Sequence, residues 1–176
     1  MKVAYFDCFA GASGDMIIGS LIDAGLDFGA LKEAIGTLNL SGYNISAARV
    51  EKKGLAATSF RVDAATENAP RRGLSDILSI LDTSGLADPV RASASAVFRE
   101  IARVESAIHG KAIEEIHFHE LGAVDSIIDV AGACAAFHLM GVEEVRASRV
   151  NVGEGFIESA HGTLPVPAPA TAALLT

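Results

Sequence analysis

The chain has 176 residues, half of them hydrophobic, and a formal net charge of −8. That length suits one domain with a sizeable core, and the apolar content excludes a disordered chain. The acidic balance argues against a nucleic-acid backbone as the main partner and suits the attraction of cations, while Asp23, Asp129 and frequent glycines break every apolar run below membrane-spanning length.

The N-terminus has too short an apolar stretch for a signal peptide, so the expectation is a cytoplasmic protein. Cys8 and Cys134 form no C-x-x-C motif and read as two free thiols.

In chain order, Val3 to Phe6 reads as a strand. A loop rich in small residues follows, Asp7-Cys8-Phe9-Ala10-Gly11-Ala12-Ser13-Gly14-Asp15-Met16, and then a helix through Ile17, Ile18, Leu21 and Ile22 to Gly25. Strand, glycine-rich turn and helix can aim N–H groups at an anion such as a phosphate. The loop matches neither G-x-G-x-x-G nor a Walker A sequence, and a tight turn with Ser13 as helix cap reads equally well. Asp7, Cys8 and Asp15 lie where open α/β sheets place ligands.

A second helix is expected to start at the cap Asp27 and to use Phe28, Leu31, Ile35 and Leu38. Tyr43 to Val50 and Leu55 to Ala64 read as a hairpin around Glu51-Lys52-Lys53-Gly54. Residues 66–73 form a loop by composition, and Arg71-Arg72 reads as a soluble surface pair before it reads as a phosphate or carboxylate clamp. Leu74, Ile77, Leu78 and Leu81 predict a short amphipathic helix. Asp88-Pro89 predicts the start of a longer one, with Val90, Ala94, Val97, Phe98, Ile101, Val104 and Ile108 on its apolar face and Gly110 as its stop. His109, in its last turn, reads as structural.

The segment Ile116-His117-Phe118-His119-Glu120-Leu121-Gly122 carries two of the five histidines. If it is extended, Ile116 and Phe118 pack on one face and His117 and His119 share the other. A helix then follows with Val124, Ile127, Ile128, Ala131 and Ala135 as its buried stripe. Asp125 and Asp129, four apart, share a different face, and Gly132 and Ala136 near it are expected to leave room above it. His117, His119, Glu120, Asp125 and Asp129 could therefore converge at one turn, a donor set suited to nickel, zinc, cobalt or manganese. Solvated histidines and an Asp125 favoured by the helix dipole are the simpler alternative. His138, late in the helix, reads as a packing residue.

Val145 to Val152 reads as a strand, with Phe156 to Ala160 returning as a hairpin after Gly153-Glu154-Gly155. Pro165, Pro167 and Pro169 force an extended run. Ala172 to Leu175 begins an apolar helix where the chain stops, which suggests one part of a longer or split protein.

Three blocks together carry a resemblance. Asp7 to Met16, His117 to Asp129, and His161-Gly162-Thr163-Leu164-Pro165-Val166-Pro167-Ala168-Pro169-Ala170-Thr171 resemble the signature blocks of the LarC family of nickel-insertion proteins, from residue 1 to the end of the chain. Arg71-Arg72 departs from that pattern, which often has His-Arg there. The resemblance implies a nickel chelatase or cyclometallase of the lyase class. It would insert nickel into pyridinium-3,5-bisthiocarboxylic acid mononucleotide and so make the nickel pincer nucleotide of lactate racemase and related enzymes. It also implies dependence on CTP with manganese or magnesium, through a C-terminal region that this chain lacks. The chain would then be the N-terminal domain only. Its partners would be the nucleotide substrate, that C-terminal domain and the enzyme receiving the cofactor, with homo-oligomerisation left open.

On that reading the expected transient metal site is His117, His119 and Glu120, with Asp125 and Asp129 as ligands or supports. Glu120 or Asp15 would accept the ring proton that a metal–carbon bond displaces. Gly11, Ser13 and Gly14 would hold the substrate phosphate. A metal-dependent hydrolase of a phosphorylated small molecule and a non-catalytic metal-binding or scaffold module are the alternatives. The expected fold is a single α/β domain, a mixed sheet of Val3–Phe6, the hairpin and Val145–Val152 packed against helices.

Overall fold

A computed structural model describes residues 1–64, 72–118, 122–159 and 162–176, with the side chain of His117 left aside. Among the described residues fifteen elements mix helix and strand, so the α/β class stands. The strands do not share one sheet, however. Among the described residues they form four two-stranded ladders around a helical core.

The core is built on α5 (Val124–Leu139), which packs on α1 (Gly14–Asp23), α2 (Phe28–Gly36) and α4 (Asp88–His109). Most of its expected stripe is buried: Ile127, Ile128 and Ala131 are inaccessible and Ala135 nearly so, while Val124 is only partly buried. Fully burying one such isoleucine stabilises a fold by about 1.5–3 kcal/mol. The room expected above Gly132 and Ala136 is filled, since both are buried and a Cβ at position 132 would stand 3.0 Å from Ile18 Cδ1 and 3.2 Å from Ile35 Cδ1. Gly132 is thus a packing glycine, through which α1 and α2 approach α5.

Asp27 caps α2 by accepting a 2.9 Å hydrogen bond from Gly29 N–H. The hairpin is β2 (Tyr43–Lys52) with β3 (Leu55–Ala64), paired from Tyr43↔Ala64 to Lys52↔Leu55. Its turn is tighter than the sequence suggests, because Lys53 and Gly54 both take positive φ, 52° and 81°, in a two-residue loop. β3 lies against α1, where Gly19 admits the Thr58 carbonyl. Arg49 and Thr58 both hold Asp23 at the end of α1.

Next come β4 (Arg72–Gly73) and α3 (Leu74–Asp82), then α4, whose cap is Ala87, one residue before the expected Asp88. Gly110 ends α4 in the left-handed region, as expected. Val97 and Ile108 stay largely exposed, off the packed stripe. His109 pairs with Glu105 at 3.3 Å, consistent with a structural role. His138 is exposed, so the packing reading of that residue fails.

A 3₁₀ turn (Ile113–Glu115) leads into β5 (His117–Phe118), which runs antiparallel to β4. Ile116 and Phe118 are buried, as the alternating pattern requires. After α5, strand β6 (Glu144–Ala147) is shorter than the expected 145–152 and pairs parallel with β1 (Val3–Phe6). Strand β7 (Phe156–Ser159) pairs with β8 (Gly162–Pro165), not with the 144–152 segment. Pro169 then opens α6 (Pro169–Leu174), which packs on α4.

Candidate functional site

The loop after β1 lies at the carboxyl ends of β1 and β6, the position that open parallel sheets use for ligands. The segment after β6 clasps it. Ser148 Oγ accepts from Cys8 N–H at 2.8 Å, Asn151 N–H donates to the Cys8 carbonyl at 3.0 Å, and Asn151 Nδ2 donates to the Phe9 carbonyl at 2.9 Å. A Cβ at Gly11, whose φ is +85°, would stand 3.1 Å from the Asn151 carbonyl oxygen. The loop is therefore fixed by hydrogen bonds with Ser148 and Asn151, at an approach that only a small residue at position 11 permits.

The loop delivers the first turn of α1 against the first two turns of α5. A Cβ at Gly14 would lie 2.4 Å from Asp129 Cβ and Cγ and 2.6 Å from Oδ2, so the Asp129 side chain occupies the space that a larger residue would fill. Asp15, next in the chain, accepts hydrogen bonds from Ser13 Oγ and from Met16 N–H. Asp125, one turn before Asp129, accepts from Ser126 N–H at 2.7 Å. Asp15, Asp125 and Asp129 are therefore brought to one place.

Asp129 is the strained member. Its Oδ1 is buried and has no hydrogen-bond partner among the described residues. Burial first, then the neighbouring charges of Asp15 and Asp125, push its carboxyl up to about 6. A buried carboxylate oxygen without a partner among the described residues, on a carboxyl that feels two other acids, is costly to keep, and a bound cation would relieve both burdens.

The structure pairs β5 backbone with Gly73 and Arg72. His117's side chain, together with His119, Glu120, Arg71 and His161, lies outside the described residues. Among the described residues, no three His, Cys, Asp or Glu side chains are arranged to hold one metal ion unaided. The thiols offer little: burial pushes Cys134 up to about 11, which keeps it a thiol at neutral pH, and Cys8 is buried with its Sγ 3.8 Å from the Phe6 carbonyl.

Arg72 is the residue whose role the sequence did not reveal. It is not a fully solvated surface charge: the side chain is half-buried and Nη1 donates to the Gly122 carbonyl at 2.7 Å. Gly122 itself sits against the Phe118 and Arg72 carbonyls, where a Cβ would come within 2.9 and 3.2 Å. Arg72 and Gly122 together fix the entry of α5, and so the position of Asp125 and Asp129. An arginine pair in a polar loop carries no signal of a backbone partner 50 residues away.

Comparison with known proteins places these features in context. The family described as "Nickel insertion protein" matches residues 4–176. The pyridinium-3,5-bisthiocarboxylic acid mononucleotide nickel insertion protein of Desulfitobacterium hafniense (strain DSM 10664 / DCB-2) is 48% identical over 176 residues, 100% of this chain and 44% of that protein. A relative in Geobacter sp. (strain M21), whose name also refers to nickel insertion, is 47% identical over 175 residues, 99% of this chain and 46% of that protein. The chain thus spans a little under half the length of these curated relatives. No solved structure matches it.

Proposed function

Since the chain belongs to the nickel insertion protein family, we propose that it supplies the metal-handling part of a nickel insertase acting on pyridinium-3,5-bisthiocarboxylic acid mononucleotide. The observation that carries this reading is the buried Asp129 oxygen that has no partner among the described residues, on a carboxyl raised by the charges of Asp15 and Asp125. The name of the Desulfitobacterium relative supports the substrate.

In the proposed reaction nickel is cargo. A site that must release it is better made of carboxylates and imidazoles than of a thiolate cage. Asp125 and Asp129 would receive the ion together with His117, His119 and Glu120 from the segment that leads into α5. Binding nickel neutralises the mutual repulsion of the acids, and the high proton affinity of Asp129 lets a proton displace the ion at modest cost. The substrate's sulfurs then compete for it. Forming the nickel–carbon bond expels one proton from the ring, and Asp15 or Glu120 accepts it.

Gly11 and Gly14 serve by letting backbone and carboxylates approach closely, and Ser13 orients Asp15. A substrate phosphate would reach this acidic loop through a bridging cation, since direct contact would set like charges together. CTP, with manganese or magnesium, would act through polypeptide found in the longer relatives outside the matched half. The product would be the nickel pincer nucleotide of lactate racemase or a related enzyme, made by a cytoplasmic lyase.

The test is conversion of the substrate nucleotide by the intact protein with nickel and CTP, followed by mass spectrometry. Gain of one nickel with loss of protons, abolished by replacing Asp129, is expected. Phosphate release without nickel incorporation would overturn the reading in favour of a hydrolase.

A further inference from the structure

The β1–β6 pair is an unfinished sheet. Two-stranded parallel ladders are rare, because parallel strands normally lie inside sheets covered on both faces. Here cover is partial. Paired residues in a parallel ladder point the same way, so Val3 and Tyr5 share an outer face with Glu144 and Arg146, while Ala4 and Phe6 share an inner face with Val145 and Ala147.

On the inner face, α5 covers only β1: Phe6 meets Phe137 edge-on at 6.0 Å, but Val145 is 50% exposed and Ala147 is exposed as well. On the outer face Val3 and Tyr5 are 39% and 65% exposed. The edge of β6 is open too. Glu144 N–H and Ser148 N–H donate to the Lys2 and Phe6 carbonyls of the β1 side. With the strand period of two, the amides of Val145 and Ala147 face away from β1, and among the described residues no strand pairs with that edge.

We propose that this edge and its two bare faces receive polypeptide that the longer relatives carry outside the matched half, which adds at least one strand beside β6 and packs on Val3, Tyr5 and Val145. Those relatives have more than half of their length beyond the match, enough for a second α/β unit. A second copy of this chain fits less well: two β6 edges joined about a two-fold axis would leave Val3 and Tyr5 in water. The inference rests on family membership and on the open sheet, not on the nickel chemistry, so it fails or stands separately from nickel binding. It has a functional consequence, because the same strands carry the loop that delivers Gly14 and Asp15. Docking there would brace the acidic site.

Amide hydrogen exchange tests it, comparing this chain with the intact Desulfitobacterium relative at aligned positions. The Val145 and Ala147 amides should exchange freely here and at least about a hundredfold more slowly in the intact relative. There, a Val145→Pro equivalent, which removes an outward-facing donor and a side chain that the added polypeptide would pack on, should restore fast exchange at the position of Ala147. Fast exchange in both proteins would overturn the proposal. So would slow exchange in both, with this chain running at twice its 18.2 kDa, which would make a second copy the occupant.

Discussion

The two faces of α5 follow opposite rules. One face, Ile127, Ile128, Ala131 and Ala135, is shut away from water and meets its neighbours without a gap. The other holds Asp125 and Asp129 near Asp15, with Asp129 Oδ1 unpaired among the described residues. A helix pair optimised for stability alone would not gather three acids there. The apolar face makes the fold, and the acidic face, on the function proposed above, is the part that a bound cation would complete.

The largest effect should come from damaging the apolar face. Ile128→Ala should lower the unfolding free energy by about 2–5 kcal/mol in denaturant titration, by loss of buried surface and creation of a cavity. Gly14→Ala comes next and strikes the junction of the two faces. Its Cβ would collide with Asp129, so it should cost about 1–3 kcal/mol and weaken nickel binding more than tenfold in calorimetry.

Asp129→Asn should separate stability from function by moving them in opposite directions. The folded-state pKa of Asp129 lies above its ordinary 3.8, at about 6. The folded protein therefore holds that proton more tightly, and the contribution is complete at low pH and is lost as pH rises from about 4 through about 6. The amide carries no such penalty. Metal-free Asp129→Asn should be more stable near neutral pH by on the order of 1 kcal/mol, after allowing for the solvent that still reaches the site. Thermal melts across that window should show the variant flatter than the wild type. The smallest effect belongs to Asp125→Asn: the residue is exposed, so stability should change by less than about 0.5 kcal/mol. The carboxyl of Asp129, followed by NMR, should shift down as one repelling charge disappears.

Much of this architecture was legible in sequence because it is local. Alternation announced the hairpin, Asp27 announced a helix start, and the spacing of Ile127, Ile128, Ala131 and Ala135 announced the buried stripe. What was not legible depends on distant partners. The β6 strand pairs with a segment some 140 residues away and stops at Ala147, although Val150 and Val152 keep an alternating pattern beyond it. Gly132 looked like open space because a missing side chain looks the same in sequence whether a neighbour fills the gap or not. Arg72 looked solvated because its partner is a backbone carbonyl. At the site, residue types and helical spacing pointed to Asp125 and Asp129, and Asp15 was named as a base. Their mutual approach is a product of the α1–α5 packing and of Gly14.

The central claim is that the acidic face of α5 receives nickel. The most direct test is calorimetric titration of nickel into the wild type and Asp129→Asn near neutral pH, both first shown to be folded. The account predicts that the wild type binds and that the variant, although more stable, loses at least tenfold in affinity. Undiminished binding by a well-folded Asp129→Asn would contradict it.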